Sequence, residues 1–163
     1  MKWAAVILFT LLAACAPVER EPLTQKADFV LVDKSDRTLT LYRDGAVLRE
    51  YAGIAFGDVP QGHKRFEGDE RTPEGRYTID TRNPNSAYHL SLRVSYPNAQ
   101  DRAYAQGLGR SPGGDIFIHG QPNGSLLDRL PGDWTDGCIA VSNGEMDELW
   151  SAIDDGTPIE IRP

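Results

Sequence analysis

Ile116-Phe117-Ile118-His119-Gly120 and, further along, Asp133-Trp134-Thr135-Asp136-Gly137-Cys138-Ile139-Ala140-Val141 are the stretches around which the chain is read. They set one His and one Cys 19 positions apart. The apolar run ending at His119 reads as a buried strand, and Cys138 falls in a tight Gly-containing turn ahead of another apolar segment. A thiolate is a strong nucleophile, but a free thiol near neutral pH is mostly protonated and needs a base or a positive dipole beside it. A His at a strand end and a Cys on a turn supply such a pair. The pattern implies cysteine-dependent acyl transfer, with His119 moving the proton. Backbone N–H groups of the Asp136-Gly137-Cys138 turn, Gly137 among them, stabilise the oxyanion.

The segments on either side build a sheet. Asp28–Lys34 is a strand, and Arg37–Arg43 alternates polar and apolar residues with period two. Asp44-Gly45 is a hairpin turn signal, and Ala46–Tyr51 returns as the next strand, so the chain opens with an antiparallel meander. Residues 57–75 form a long loop rich in Gly, Pro and charge, holding His63, Lys64 and Arg65; His63 reads as a solvated loop residue. Arg76–Asp80 is a further strand. Tyr88–Tyr96 alternates again, with Leu90, Leu92 and Val94 on one face and His89, Ser91, Arg93 and Ser95 on the other. That polar face is expected to wall the cleft, with Arg93 placed to meet a substrate carboxylate bidentately. Asp101–Gln106 reads as a short helix. Ser142 with Glu145 forms a capping box for a second helix whose Met146, Leu149, Trp150 and Ile153 share one apolar face. Thr157–Ile161 closes the chain as a strand. The fold class is mostly β with one or two short helices.

The ordered set of motifs resembles a known family. His119-Gly120 followed by Thr135-Asp136-Gly137-Cys138 is similar to the signature of the L,D-transpeptidase catalytic domain, the YkuD type, of bacterial cell-wall enzymes. Thr72-Pro73-Glu74-Gly75, Leu90–Asn98 and Pro112–Asp115 also resemble segments of that family, and the resemblance spans about residues 28–162. It implies a β-sandwich or barrel domain over residues 28–163. It further implies a Cys138 nucleophile, and a His119 whose ring is oriented by the Gly120 carbonyl, with no third acidic member. The substrate it implies is a peptidoglycan stem peptide, cut at the bond from an L-centre to a D-residue. The acceptor is an amine, giving a crosslink, an exchange or an attached lipoprotein; or it is water, giving an amidase or L,D-peptidase. Two positions depart from the pattern. Asp136 stands where the family usually has a second His, and Ala140 where it usually has Arg or Asn. Asp136 opposes thiolate formation. With Thr135, His89 and Arg93 it completes the expected substrate contacts.

Composition narrows the remaining classes. The 163 residues make one domain behind a short leader, and a net charge of −7 argues against a nucleic-acid partner. Met1-Lys2, the apolar run from Trp3 to Leu12, and Leu12-Ala13-Ala14-Cys15 form a secretory signal, since ten apolar residues are too few to span a bilayer. The last four residues resemble a bacterial lipobox, which implies cleavage before Cys15 and lipidation of its thiol. With Ala16 next, the expected destination is the periplasmic side of a Gram-negative outer membrane. Residues 16–27, with Pro17 and Pro22, read as a tether. Lipidated Cys15 leaves Cys138 as the one thiol of a compartment that oxidises thiols, and catalysis explains its retention. A metal site needs three or four ligands, and this chain clusters one Cys with few His residues, so neither metal nor cofactor is expected. A papain-like protease is disfavoured because there the Cys precedes the His. A non-catalytic wall-binding module stays open beside the enzyme.

Overall fold

The computed structural model describes residues 21–163. The signal sequence, Cys15 and residues 16–20 of the expected tether lie outside the described residues. The elements are β1 (Phe29–Asp33), β2 (Thr38–Arg43), β3 (Ala46–Ala52), β4 (Gly75–Asn83), β5 (Ser91–Val94), α1 (Ala99–Gly107), β6 (Phe117–His119), β7 (Ile139–Ala140), α2 (Asn143–Ala152) and β8 (Pro158–Arg162). The strands form one curled eight-stranded sheet in the order β3-β2-β1-β8-β4-β5-β6-β7.

The opening meander is as its alternation requires. β1 pairs antiparallel with β2, and β2 with β3, across a turn in which Asp44 and Gly45 both take positive φ. β8 returns from the far end of the chain to lie parallel to β1, and β4 joins its other edge. Val30, Val32, Leu39, Leu41, Ile79, Leu92, Ile118, Ile139, Ile159 and Ile161 point into a single core. Met146, Leu149 and Ala152 of α2 complete it from one side. The Ser142–Glu145 capping box opens α2. Arg82 closes it by donating to the carbonyls of Trp150 and Ile153, both at 2.6 Å, with its guanidinium over the Trp150 ring. Leu23 packs on this core and Ala27 is buried, so the end of the expected tether lies against the domain.

Two differences from the sequence reading have local causes. The strand expected over 88–96 is confined to Ser91–Val94, because His89 takes a positive φ of 66° and breaks the alternation. The helix expected from Asp101 begins at Ala99. Asn98 caps it, and Asp101 reaches back to the Asn98 N–H.

The sheet curls far enough for its ends to meet. Just beyond β3, Ala55 exchanges both backbone hydrogen bonds with Ala140 of β7, at 2.9 and 2.8 Å. Gly57 bridges Thr135. This seam ties the strand farthest from the site to the turn that carries Cys138.

Candidate active site

β6 and β7 run parallel, with Ile118 opposite Ile139 and His119 opposite Ala140. Cys138 therefore stands one step before the ladder, abreast of Phe117. Side chains alternate along a strand, so His119, Ala140 and Cys138 share a face. That face is the floor of a cleft of about 480 Å³ lined by both His119 and Cys138, with Tyr88, Ser91, Asp115, Trp134, Thr135 and Asp136 around them.

His119 is 4% exposed, and its Nδ1 lies 2.7 Å from the Gly120 carbonyl oxygen. A carbonyl only accepts, so Nδ1 carries the proton and Nε2 presents a lone pair. Burial pushes the imidazole pKa below its ordinary value and favours the neutral ring, while the bond to Gly120 acts in the opposite sense. Tyr88 lies over the ring at 4.7 Å between centroids, and Trp134 meets it edge-on at 5.6 Å. Gly120 is held in turn by its N–H to the Tyr88 carbonyl, 3.1 Å away. A Cβ there would come within 2.5 Å of Asn143 Oδ1, the atom that accepts from the Gln121 N–H. Buried Gln121 then bonds the Val141 carbonyl and accepts from the Leu130 N–H.

The Cys138 turn is built with equal constraint. Thr135 Oγ1 donates to the Cys138 carbonyl at 2.7 Å and accepts from the Gly137 N–H at 3.2 Å. Gly137 has φ +121°, and a Cβ on it would lie 2.5 Å from the Arg71 carbonyl oxygen, so the turn needs glycine. Asp133 accepts from the Phe56 N–H and takes a two-point bond from Arg37, at 2.8 and 2.7 Å. Cys138 Sγ accepts from the Phe117 N–H at 3.4 Å. Burial pushes the thiol pKa up. The Phe117 N–H opposes that, and the charges of Asp136 and Asp115 add to it. The resting pair is thus thiol and neutral imidazole.

Several expected site residues are placed otherwise. The Gly137 N–H bonds Thr135 Oγ1, while the Asp136 and Cys138 N–H groups meet no acceptor among the described residues, and the latter lies at the nucleophile. Thr135 borders the cleft but is 5% exposed, and its hydroxyl is used inside the turn. Arg93 is not among the residues lining the cleft and grips Asp80 at 2.8 and 3.1 Å. His89 bonds Asp147 of α2 at 2.8 Å, because its turn carries it off the strand face. Asp136 does border the cleft beside Cys138. His63 is not a solvated loop residue: its ring accepts from the Glu74 N–H and bonds Asp101. Tyr88 and Trp134 were missed, although the aromatic residue four positions before the Cys was a signal to hand. No group of three His, Cys, Asp or Glu among the described residues is arranged to hold a metal.

The family model of the L,D-transpeptidase catalytic domain, YkuD, matches residues 27–161. The chain belongs to this L,D-transpeptidase family. Among its relatives is YafK of Escherichia coli (strain K12), which carries a provisional L,D-transpeptidase name. It is 26% identical over 180 residues, covering 94% of this chain and 64% of YafK. The chain thus spans under two thirds of that relative. The helical cell shape determining protein Pgp2 of Campylobacter jejuni superposes with a TM-score of 0.65 at 31% identity, over 85% of this chain and 48% of its own. An L,D-transpeptidase from Mycobacterium smegmatis, 18% identical, shares the fold at a TM-score of 0.56 over 84% of this chain and 59% of its own.

Proposed function

We propose that this L,D-transpeptidase domain is a cysteine-dependent acyltransferase acting on peptidoglycan stem peptides. The observation that carries the reading is the His119 ring. Its Nδ1 is tied to Gly120, so its Nε2 lone pair is left to the cleft it shares with Cys138. Both groups are neutral at rest, so the proton leaves Sγ for Nε2 as sulfur attacks the carbonyl. The oxyanion meets the Cys138 N–H. The C–N bond then breaks, and the imidazolium gives its proton to the leaving amine. The thioester is next attacked by an amine, which re-forms an amide and returns the thiol. The aromatic walls of Tyr88 and Trp134 exclude water from the ring face. Asp136 and Ala140, standing where the family usually has His and Arg or Asn, favour a second reading: water as acceptor, releasing wall-linked protein or trimming stems.

The lipobox-like leader supports a site of action at a membrane: a lipid on Cys15 would hold the domain at the periplasmic face of an outer membrane, within reach of wall peptides, and the net charge of −7 does not suit a nucleic-acid partner.

The experiment is mass spectrometry of muropeptides incubated with the purified protein and with Cys138→Ala. New crosslinked or exchanged products absent from the variant establish a transpeptidase. Cys-dependent products of water alone establish the hydrolase. No Cys-dependent change on muropeptides or protein-linked wall leaves a binding module.

A further inference from the structure

The cleft around Cys138 carries an uneven charge that acyl transfer itself does not use. Asp115 lies just ahead of β6, and Asp136 lies in the turn just ahead of β7. β6 and β7 are parallel neighbours, so both residues arrive at the same end of the sheet as the thiol. The Asp115 carbonyl accepts from Cys138 Sγ at 3.5 Å, and Asp136 precedes Cys138 in its own turn. Both side chains are exposed, both line the cleft, and neither is paired with a Lys, Arg or His among the described residues.

The cleft holds no charge to set against them. No Lys or Arg lines it, and its one imidazole is that of neutral His119. The cations near by are already engaged. Lys64, whose field reaches the thiol, is buried with its Nζ 2.9 Å from Asp69. Arg93, whose field meets Asp115, is held at two points by Asp80. Exposed carboxylates are ionised at neutral pH, so the cleft presents two uncompensated negative charges beside a neutral nucleophile. That is a poor setting for a thiolate, and both charges push the thiol pKa up. It is a good setting for a substrate cation, to which Tyr88 and Trp134 add two aromatic rings in the same lining.

We propose that Asp115 and Asp136 set the charge specificity of this cleft: they receive an alkylammonium group of the substrate beside Cys138 and disfavour a free carboxylate there. This deepens the acyl-transfer reading and rests on it for the substrate. The ammonium has two possible sources, a side-chain amine of the donor stem or the amine that attacks the thioester. In the second case the ammonium first gives a proton to His119 Nε2, which is neutral again once the leaving amine has departed. The nitrogen lone pair then forms the C–N bond, the C–S bond breaks, and sulfur recovers the proton from the imidazolium.

The preference is read at the thiol itself, without peptidoglycan. The full chain is treated at pH 8 with the cationic reagent trimethylammonioethyl methanethiosulfonate and with its anionic counterpart, sulfonatoethyl methanethiosulfonate. Modification of Cys138 is followed by peptide mass spectrometry, and each rate is divided by that of mercaptoethanol with the same reagent. The ratio of cationic to anionic rate cancels the thiolate fraction, so any change in thiol pKa drops out. The wild-type ratio is expected to exceed one by about 10-fold or more. Asp115→Asn and Asp136→Asn should each lower it by about 3- to 10-fold, and added salt should compress it. A wild-type ratio at or below one, a ratio that neither substitution moves, or a thiol that reacts with neither reagent overturns the proposal. Muropeptide turnover then separates the two sources. If the donor carries the ammonium, acetylating its side-chain amine raises its KM in the wild type and not in the double Asn variant. If the acceptor carries it, Asp136→Asn raises the KM of an alkylamine acceptor and not that of neutral hydroxylamine. Turnover with neither dependence overturns the proposal. Absence of turnover strikes the acyl-transfer reading instead and leaves the thiol ratios standing.

Discussion

Strands β1, β2, β3 and β8 run five to seven residues each, while β5, β6 and β7 run four, three and two. The first set is secured by its backbone ladders and by apolar residues such as Val30, Leu39, Leu41 and Ile161. The second set has too little ladder to hold itself. Its loops are fixed by side chains bonded to backbone: Asp133 on Phe56, Thr135 on Cys138, Gln121 on Val141, Asn143 on Gln121. Buried polar groups of this sort are costly unless each is satisfied, and once satisfied they fix one geometry. Stability is concentrated at one end of the sheet and positional accuracy at the other.

That contrast is tested most severely at the thiol. Cys138→Ala should take product formation in the muropeptide assay below detection while the thermal midpoint stays within a few degrees of the wild type. Leu41→Ala, in the ladder half, should do the reverse. A cavity in a fully buried position costs about 2–5 kcal/mol in denaturant unfolding, with turnover per folded molecule retained. Gly137→Ala belongs to the site half. A Cβ against the Arg71 carbonyl must displace the turn, so turnover should fall by a factor of about 10²–10³, the scale of a lost oxyanion donor. Equal damage to stability and turnover in all three would dissolve the distinction. Ser142→Ala removes the cap of α2, which serves both halves, and should cost about 1 kcal/mol by thermal melt. The smallest effect is in the pH profile. His119 must be neutral to take a proton, and burial lowers its pKa. The acid-side midpoint of kcat/KM should therefore fall below the ordinary value of 6.5; a midpoint above it would contradict a buried base.

The same division governs what could be read without coordinates. β1 to β3, the Asp44-Gly45 turn and the Ser142 cap were legible because period-two alternation, turn chemistry and capping are local rules. His119, Cys138 and the Gly120 carbonyl were legible through motif order. The environment of His119 was not. Tyr88 and Trp134 reach it from segments distant in sequence, and no local rule joins them. His89 was assigned to the cleft by extending alternation through its own positive φ, whereas Arg93 does share a strand face with Ser91 but is taken up by Asp80, a pairing the sequence does not show. Gly137 was assigned an oxyanion role because nothing in the sequence shows its N–H spent on Thr135.

The seam between Ala55 and Ala140 joins the first third of the chain to its last quarter. A folding chain therefore holds its thiol unarmed until nearly everything else is in place, since the turn bearing Cys138 gains its backing from the residues after β3 only when the sheet has rolled up. Release of the turn requires the whole seam to open, the Gly57–Thr135 bridge and the bonds from Trp134 and Thr135 to Phe56 included, and none of these belongs to the main ladders. Damage to this closure is therefore expected to lower reactivity before the body of the domain unravels, as a fuse gives way ahead of the circuit it protects.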